Sequence, residues 1–579
     1  SLPTNAGTDA YAALGITGPS LPEVDQGYPA FVVSGYETLG DDPNLPVLRS
    51  TRTIHLADTL TAQIGRHHVK AGGEFRHYQS DGLNHLFARG QVTFAGAITG
   101  APFADLLLGY PTLSLLGTND NPQKLRTWSI NSFIQDDWRL SSRLTVNMWL
   151  RYEFNAPPVD ADDRMRIFDQ ATNEIVQVGT NGIPRSGIAS DYNNVAPRIG
   201  FNYDLTGMGT TMLQGGYGMF YNVGTLIETS ALYFNPPYFG IGLYFPTQTR
   251  LLTLENPFPG QAIGTQPTYN SLDQSMRTAY AHQASLGLER AFTKTTVDVR
   301  YVGSFGRALV RKRNINQAEP GPGAFPPRRP MPQYGDILMV ESGATSDYHA
   351  LQVGAVRRAG SRLQFRGSYT WSKSMDDQSA FLATDGNDNT PQDSRNLAAE
   401  WGLSDFDVRH RLVVSGSYLI PDFGAGALGR GWQVAGVVSV QSGRPFTPRV
   451  SFDNSNSGNT GGGTFAYDRP NEVTGGAAPA GATVVSYQGR SFVVAPQYTY
   501  GDAGRNILIG PGYATVDAVL ARRFELGSQR NLELRLEGFN LLNRTNLQLP
   551  DSFVDRPTFG QSLSAYPRRQ FQLAARFTF

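Results

Sequence analysis

Long segments in which apolar and polar side chains alternate recur from residue 50 to the C-terminal Phe579. A period of two places successive side chains on opposite faces of a β-strand. In residues 362–371, Leu363, Phe365, Tyr369 and Trp371 share one face, and Arg362, Gln364, Arg366, Ser368 and Thr370 share the other. Leu144, Val146, Met148, Leu150 and Tyr152 alternate in the same way with Arg143, Thr145, Asn147, Trp149 and Arg151. Trp432, Val434, Gly436, Val438 and Val440 form another apolar row, and Leu532, Leu534 and Leu536 alternate with Glu533, Arg535 and Glu537. Strands of soluble sheets average ~5–6 residues, whereas crossing a bilayer takes ~9–11. No stretch approaches the ~20 apolar residues of a membrane helix, so the chain crosses a membrane as a barrel or not at all.

Residues 569–579 carry the pattern to the end of the chain. Phe571, Leu573, Ala575, Phe577 and Phe579 lie on one face, with Gln570, Gln572, Arg576 and Thr578 mostly on the other. Outer-membrane barrels end in such a strand, and Phe571, Leu573, Phe577 and Phe579 read as an outer-membrane insertion signal. Aromatic residues are 11% and charged residues only 17%, with 63 Gly, which suits twisted strands and aromatic girdles. The 49 basic and 49 acidic residues balance, so no general field draws in nucleic acid. The absence of cysteine excludes disulfides, thiolate metal sites and cysteine nucleophiles, and fits passage through an oxidising periplasm.

The alternation predicts strands near 50–63, 66–80, 124–139, 143–156, 195–204, 210–222, 277–290, 294–304, 347–358, 361–374, 409–420, 431–444, 513–524, 529–543 and 569–579. Connections alternate between short turns and long segments, the latter at 81–123, 157–194, 223–276, 305–346, 375–408, 445–512 and 544–568. Barrels of this kind have short periplasmic turns and long outside loops, so Phe579 is expected in the periplasm and the long loops outside. The loops are rich in Gly, Pro, Asn and Asp and are not expected to be wholly ordered. The expected class is all-β, a transmembrane antiparallel β-barrel occupying 49–579, with 1–48 as an extracellular loop or remnant. Residues 31–36 are read as loop. The odd strand number and the start at Ser1 without a signal peptide predict a part of a larger barrel or one half of a split one.

Eight segments together resemble the C-terminal barrel of TonB-dependent outer-membrane receptors of the Oar-like group. They are SFIQDDWR (132–139), LRYE (150–153), NVAPRIGF (194–201), GGYGMFY (215–221), YHALQ (348–352), SYTWSKS (368–374), SDFDVRHR (404–411) and EGFNLLNRTN (537–546). The resemblance implies a barrel of about 22 strands whose lumen is blocked by an N-terminal plug. It also implies energy from the inner-membrane proton gradient through TonB with ExbB and ExbD. Other implied partners are the barrel-assembly machinery, outer-membrane lipid and lipopolysaccharide, an unknown solute, and a partner chain for the missing strands.

Residues with chemistry are weighed against plainer roles. Arg362, Arg366, Arg409, Arg411, Glu533, Arg535 and Glu537 are candidate lumen-facing groups that solvate the lumen, contact a plug or bind a solute. Tyr233, Phe234, Tyr238 and Phe239 are candidate outside aromatics for a glycan or peptide, or else pack their own loop. Asp136, Asp137, Asp376, Asp377, Asp405 and Asp407 are expected as solvated rim or lumen charges. His67, His68, His77 and His85 do not suit a metal site, because alternation puts His68 inward but His67 and His77 outward. Residues 453–463 and 385–389 have oxygen donors for calcium but no EF-hand spacing, and read as flexible loop. No cofactor, metal or enzymatic constellation is expected. The expected function is outer-membrane transport of a bulky solute such as a siderophore, glycan, peptide or protein. The alternatives are a structural or adhesive membrane component and a passive porin.

Overall fold

A computed structural model describes residues 1–579 apart from 223, 225, 248–250, 261–266, 360–361, 381–389, 424–428, 460–466, 475–480 and 528–529. Fifteen long strands form one continuous wall: β1 (Val47–Ile64), β2 (His67–Asn84), β3 (Gln123–Arg139), β4 (Leu144–Asn155), β5 (Val195–Asp204), β6 (Thr211–Tyr221), β7 (Tyr280–Ala291), β8 (Thr295–Asn314), β9 (Ile337–Ala359), β10 (Leu363–Asp376), β11 (His410–Leu419), β12 (Trp432–Gln441), β13 (Tyr513–Glu525), β14 (Asn531–Phe539) and β15 (Gln570–Thr578). Each pairs antiparallel with the next in chain order. Among the described residues β1 and β15 do not pair with each other, so the wall is an open sheet and not a closed barrel.

All the short connections lie at one end of the wall. Gly65, in the left-handed region at φ +62°, lets a two-residue turn join β1 to β2. The β5–β6 turn is closed by the Asp204 carboxylate, which accepts from the backbone N–H of Thr206 at 3.1 Å, Gly207 at 2.9 Å and Gly209 at 2.7 Å. At the other end the pairing of β8 with β9 runs well past the expected strands, with an irregularity between Gly306 and Val310 where Ala308 has φ +51°. The two strands keep satisfying each other's backbone groups, so the ladder continues until Asn314 and Leu338.

One face of the wall is apolar and open, carrying Ile54, Leu56, Ile134, Leu150, Ile199, Leu286, Leu534, Leu536, Phe571 and Leu573. The opposite face carries Glu74, Arg151, Glu153, Glu533 and Arg535. Most of the buried apolar side chains lie elsewhere, in the long connections. Met165, Ile167, Val176, Val178, Leu232, Tyr233 and Leu272 form one core, and Phe446, Val450, Phe492, Leu508 and Val554 form another. The described parts of these segments are therefore packed structure.

Residues 1–48 are also built in. Residues 31–36, read as loop, contain part of the strand Ala30–Val33, which pairs in parallel with Gln91–Phe94. That strand continues through Leu113–Asn119 to Phe239–Tyr244 in a separate four-stranded sheet. Val33, Val92 and Phe94 make its core. Arg89, 1% exposed, ties the two segments together by donating to the carbonyls of Asp25 at 3.3 Å, Asp42 at 2.8 Å and Leu45 at 2.7 Å. The Tyr11 hydroxyl returns a bond to the Arg89 carbonyl at 2.8 Å. Arg89→Met is expected to cost about 3 kcal/mol locally, since hydrogen bonds from a charged donor are lost and carbonyls are left unpaired. Hydrogen exchange across residues 1–46 should speed up while β1–β15 stay protected; unchanged exchange in 1–46 contradicts this role for Arg89.

Candidate functional site

The charged face of β1–β4 converges on one carboxylate. Glu74 of β2 accepts from Asn131 Nδ2 at 2.9 Å and Arg151 Nη2 at 3.3 Å on one oxygen, and from Arg76 Nη2 at 3.3 Å on the other. His55 Nε2 meets that second oxygen at 3.0 Å. Arg151 also donates from Nε to Glu153 at 2.5 Å. The register explains the meeting, because Glu74 lies opposite Asn131, and Asn131 opposite Glu153. Alternation alone put Arg151 on this face. It could not show that side chains from four strands share one carboxylate, because that needs the cross-strand register.

A cavity of about 420 Å³ opens beside this cluster at the long-connection end, within the usual range for small-molecule sites. Arg76, Tyr78, Thr127 and Ser129 line it from the wall, and Asp191, Leu272 and Arg277 from the connections. Asp191 is held in place by accepting from the Thr278 backbone N–H at 2.9 Å. The cavity therefore offers apolar walls with both a carboxylate and guanidinium groups. None of its polar residues was singled out from the sequence, since they come from distant segments.

The candidate charges do not form a single site. Arg366 and Arg411 share the polar face of β10 and β11, with Arg411 opposite Thr370. Arg362 lies in the turn before β10, where its carbonyl accepts from Leu419, and the carbonyl of Arg409, just before β11, accepts from Ser372. Glu533, Arg535 and Glu537 form a ladder on β14, four strands from β10 and so about 19 Å away across the sheet. Arg535 pairs with Glu533 and reaches Glu537 at 3.7 Å, and Glu533 stands opposite both Arg523 and Arg576. Phe571, Leu573, Phe577 and Phe579 all lie exposed at the C-terminal edge, Leu573 at 82%.

Tyr233 and its neighbours take the loop-packing alternative, and several carboxylates are placed differently from expectation. Tyr233 is 1% exposed in a loop core, its hydroxyl bonded to Asp160 and accepting from the Lys124 backbone N–H at 3.1 Å. Burial and the Asp160 carboxylate hold that hydroxyl protonated far above the usual tyrosine range. Phe234 and Phe239 pack edge to face at 5.0 Å, and the Arg164 guanidinium covers the Tyr238 ring at 4.3 Å. Asp376, Asp405 and Asp407 are not solvated. Asp376 is 2% exposed and paired with Arg505, Asp405 accepts from Asn506 Nδ2 at 2.6 Å, and Asp407 accepts from the Ser374 N–H at 2.6 Å. Burial pushes the Asp405 and Asp407 carboxyls above the ordinary range. Asp376 and Asp405 are covered because the connection carrying Arg505 and Asn506 folds down onto them.

Residues 453–459 form a turn in which Asp453 accepts from the N–H groups of Ser457 at 3.0 Å and Gly458 at 2.7 Å, while Asn454 and Asn459 bond to residues outside it. Residues 460–463 and 385–389 lie outside the described residues. His67 stacks on Trp138 and meets Asp136 at 2.7 Å on the apolar face, His68 faces the other way toward Gln63, and buried His85 pairs with Asp25 at 2.7 Å. Among the described residues no three His, Asp or Glu side chains converge as metal ligands. Tyr233→Phe is expected to cost about 1–3 kcal/mol by leaving Asp160 short of a donor, and Tyr233→Ala about 3–5 kcal/mol by opening a cavity. Denaturant unfolding of the purified protein measures both; a Tyr233→Phe variant of unchanged stability contradicts the core role.

No curated protein matches this sequence. Among solved structures, the outer membrane transporter YddB from Escherichia coli aligns over 96% of this chain and 58% of its own, at 11% identity and a TM-score of 0.52. The FrpB iron transporter from Neisseria meningitidis (F3-3 variant) aligns over 92% and 55%, at 11% identity and a TM-score of 0.46. The siderophore receptor PirA from Acinetobacter baumannii aligns over 95% and 58%, at 11% identity and a TM-score of 0.46. The chain thus spans less than two thirds of the length of these proteins. The likeness to YddB is one of fold. The family profile described as outer membrane beta barrel domain matches residues 1–572, and with its two-faced wall of long antiparallel strands the chain belongs to that outer-membrane family.

Proposed function

We propose that these residues are the barrel wall of an Oar-like TonB-dependent transporter that moves a bulky solute across the outer membrane. The observation that carries this is the wall itself, with one apolar face, one charged face and folded connections gathered at one end. The apolar face meets lipid. The charged face, with Arg362, Arg366, Arg409, Arg411, Glu533, Arg535 and Glu537, lines the lumen. Unpaired backbone groups along the outer edges of β1 and β15 are costly in hydrocarbon, so further strands close the wall into a barrel of about 22. A plug in the complete protein fills the lumen against the Glu74 cluster, and TonB with ExbB and ExbD supplies the energy for its release. The long connections face outside, Phe579 lies in the periplasm, and the solute first docks in the cavity lined by Arg76 and Asp191.

The cysteine-free sequence makes a clean topology test possible. Cysteine placed at Asn456 should react with a membrane-impermeant maleimide on intact cells, while cysteine at Arg66 should react only after lysis. The opposite pattern overturns the orientation. The complete protein from its native membrane should give almost no steady conductance in a planar bilayer until mild denaturant unfolds the plug. An open lumen without denaturant points instead to a passive porin.

A further inference from the structure

Three of the eight histidines occur in one repeated arrangement on the apolar face. Tyr217 of β6 bonds His282 of β7 at 2.7 Å, Tyr301 of β8 bonds His349 of β9 at 2.8 Å, and Tyr369 of β10 bonds His410 of β11 at 2.8 Å, each through imidazole Nδ1. In every case the histidine sits two residues toward the long-connection end from the residue opposite the tyrosine. The three tyrosines are exposed, as are Trp371, which stands opposite His410, and Leu286, Leu351 and Leu412 on the same face.

The register shows that the three pairs lie on one ring. Straight across the sheet, Tyr217 aligns with Ala284 and Gly303, so Tyr301 lies two residues nearer the short-turn end. Tyr301 aligns in turn with Leu351 and Trp371, and Tyr369 again lies two residues nearer that end. The step is one residue per strand, about 3.4 Å along for 4.8 Å across, a slope of about 35°. Barrel strands tilt by about 35–45°, so the slope keeps all three pairs at one height about the barrel axis.

That height is an edge of the apolar band. From His282 to Arg290 and from His349 to Arg357 the same-face residues between are Ala284, Leu286 and Leu288 on one strand, and Leu351, Val353 and Ala355 on the other. Eight residues at about 40° of tilt rise about 21 Å, close to the ~25 Å apolar height of an outer-membrane barrel. Arginines thus mark the short-turn edge and Tyr–His pairs the other. Just beyond the ring, exposed Lys373 lies opposite His349 and makes no ion pair among the described residues. Arg307, on the same side, is paired with Asp347 at 2.9 Å, whereas Lys373 adds an exposed positive charge to this edge that the Asp407 carboxylate also feels. Asp407 is turned to the Ser374 N–H.

Each pair keeps one donor free. If the tyrosine donates to Nδ1, Nε2 carries the proton and points away; if the imidazole donates, the tyrosine O–H is left. The ring therefore presents three hydrogen-bond donors about 12 Å apart, at the level where headgroups begin, beside an exposed ammonium. The geometry points to a belt that binds the phosphate groups of outer-leaflet lipid, each Tyr–His pair donating to one phosphate oxygen and Lys373 supplying charge. This rests on the membrane orientation proposed above.

The test uses the complete protein, purified in detergent and titrated by native mass spectrometry with bisphosphorylated lipid A and with its dephosphorylated form. The wild type should retain the phosphorylated lipid about tenfold better, and Y217F/H282A/Y301F/H349A/Y369F/H410A, which removes both donors of every pair, should lose that preference while still binding the dephosphorylated form. Should that variant fail to fold, Y217F/H282F/Y301F/H349F/Y369F/H410F, which keeps a ring at every position, together with K373A, serves as the second variant. Equal retention of both lipids by the wild type, or an unchanged preference in the folded variants, overturns the proposal. Quenching of Trp371 fluorescence by brominated acyl chains, measured in a variant whose other tryptophans are replaced by phenylalanine, reports on the orientation separately. No quenching removes the membrane reading, whereas quenching without phosphate preference removes only the belt.

Discussion

The structure depends on the backbone hydrogen-bond ladder between neighbouring strands. In hydrocarbon an unpaired N–H or C=O costs several kcal/mol, so a wall that carries its apolar side chains outward has to satisfy every backbone group sideways. The unbroken antiparallel pairing from β1 to β15 does this for all but the two outer edges. The long paired reach of β8 and β9 follows from the same rule, since β8 satisfies one edge of β9 while residues 269–272 pair in parallel with the other over 337–340.

With the wall committed to two open faces, burial moves to the connections. Apolar cores around Met165 and Phe446 pack there, together with ion pairs that would be costly to bury singly. Arg329 meets Asp336 at 2.7 Å, a carboxylate that also accepts from Asn314 at 2.9 Å, and Arg469 pairs with Glu400. Gln317 Nε2 reaches Asn459 at 2.6 Å across more than a hundred residues of chain. Such networks are satisfied on several sides at once, so they fix the connections against one another.

Residue roles were legible where they depended on periodicity. The faces of Met148, Leu150, Arg366, Glu533 and Phe571 follow from their position in an alternating run. Tyr233 shows the limit, because an aromatic in a Pro- and Asn-rich stretch fits a surface contact and a packed loop alike until Asp160 and Leu232 are seen around it. Asp376 and Asp405 were misread for a related reason. Their partner Arg505 is a hundred residues or more away, and no local pattern reports it. Residues 30–33 formed a strand, but one belonging to the small sheet, because its partners lie at 91–94.

The amino-acid sequence by itself determined the all-β class, the two-faced strands and the alternation of short and long connections. All of these rest on side-chain period and local turn chemistry, which act within a few residues. Only the tertiary structure decided the convergence on Glu74, the Arg76–Asp191 cavity, the burial of the acidic pairs and the ring of Tyr–His contacts. Each of these depends on register between strands far apart in the chain, and register is set by the assembled ladder, not by any one segment.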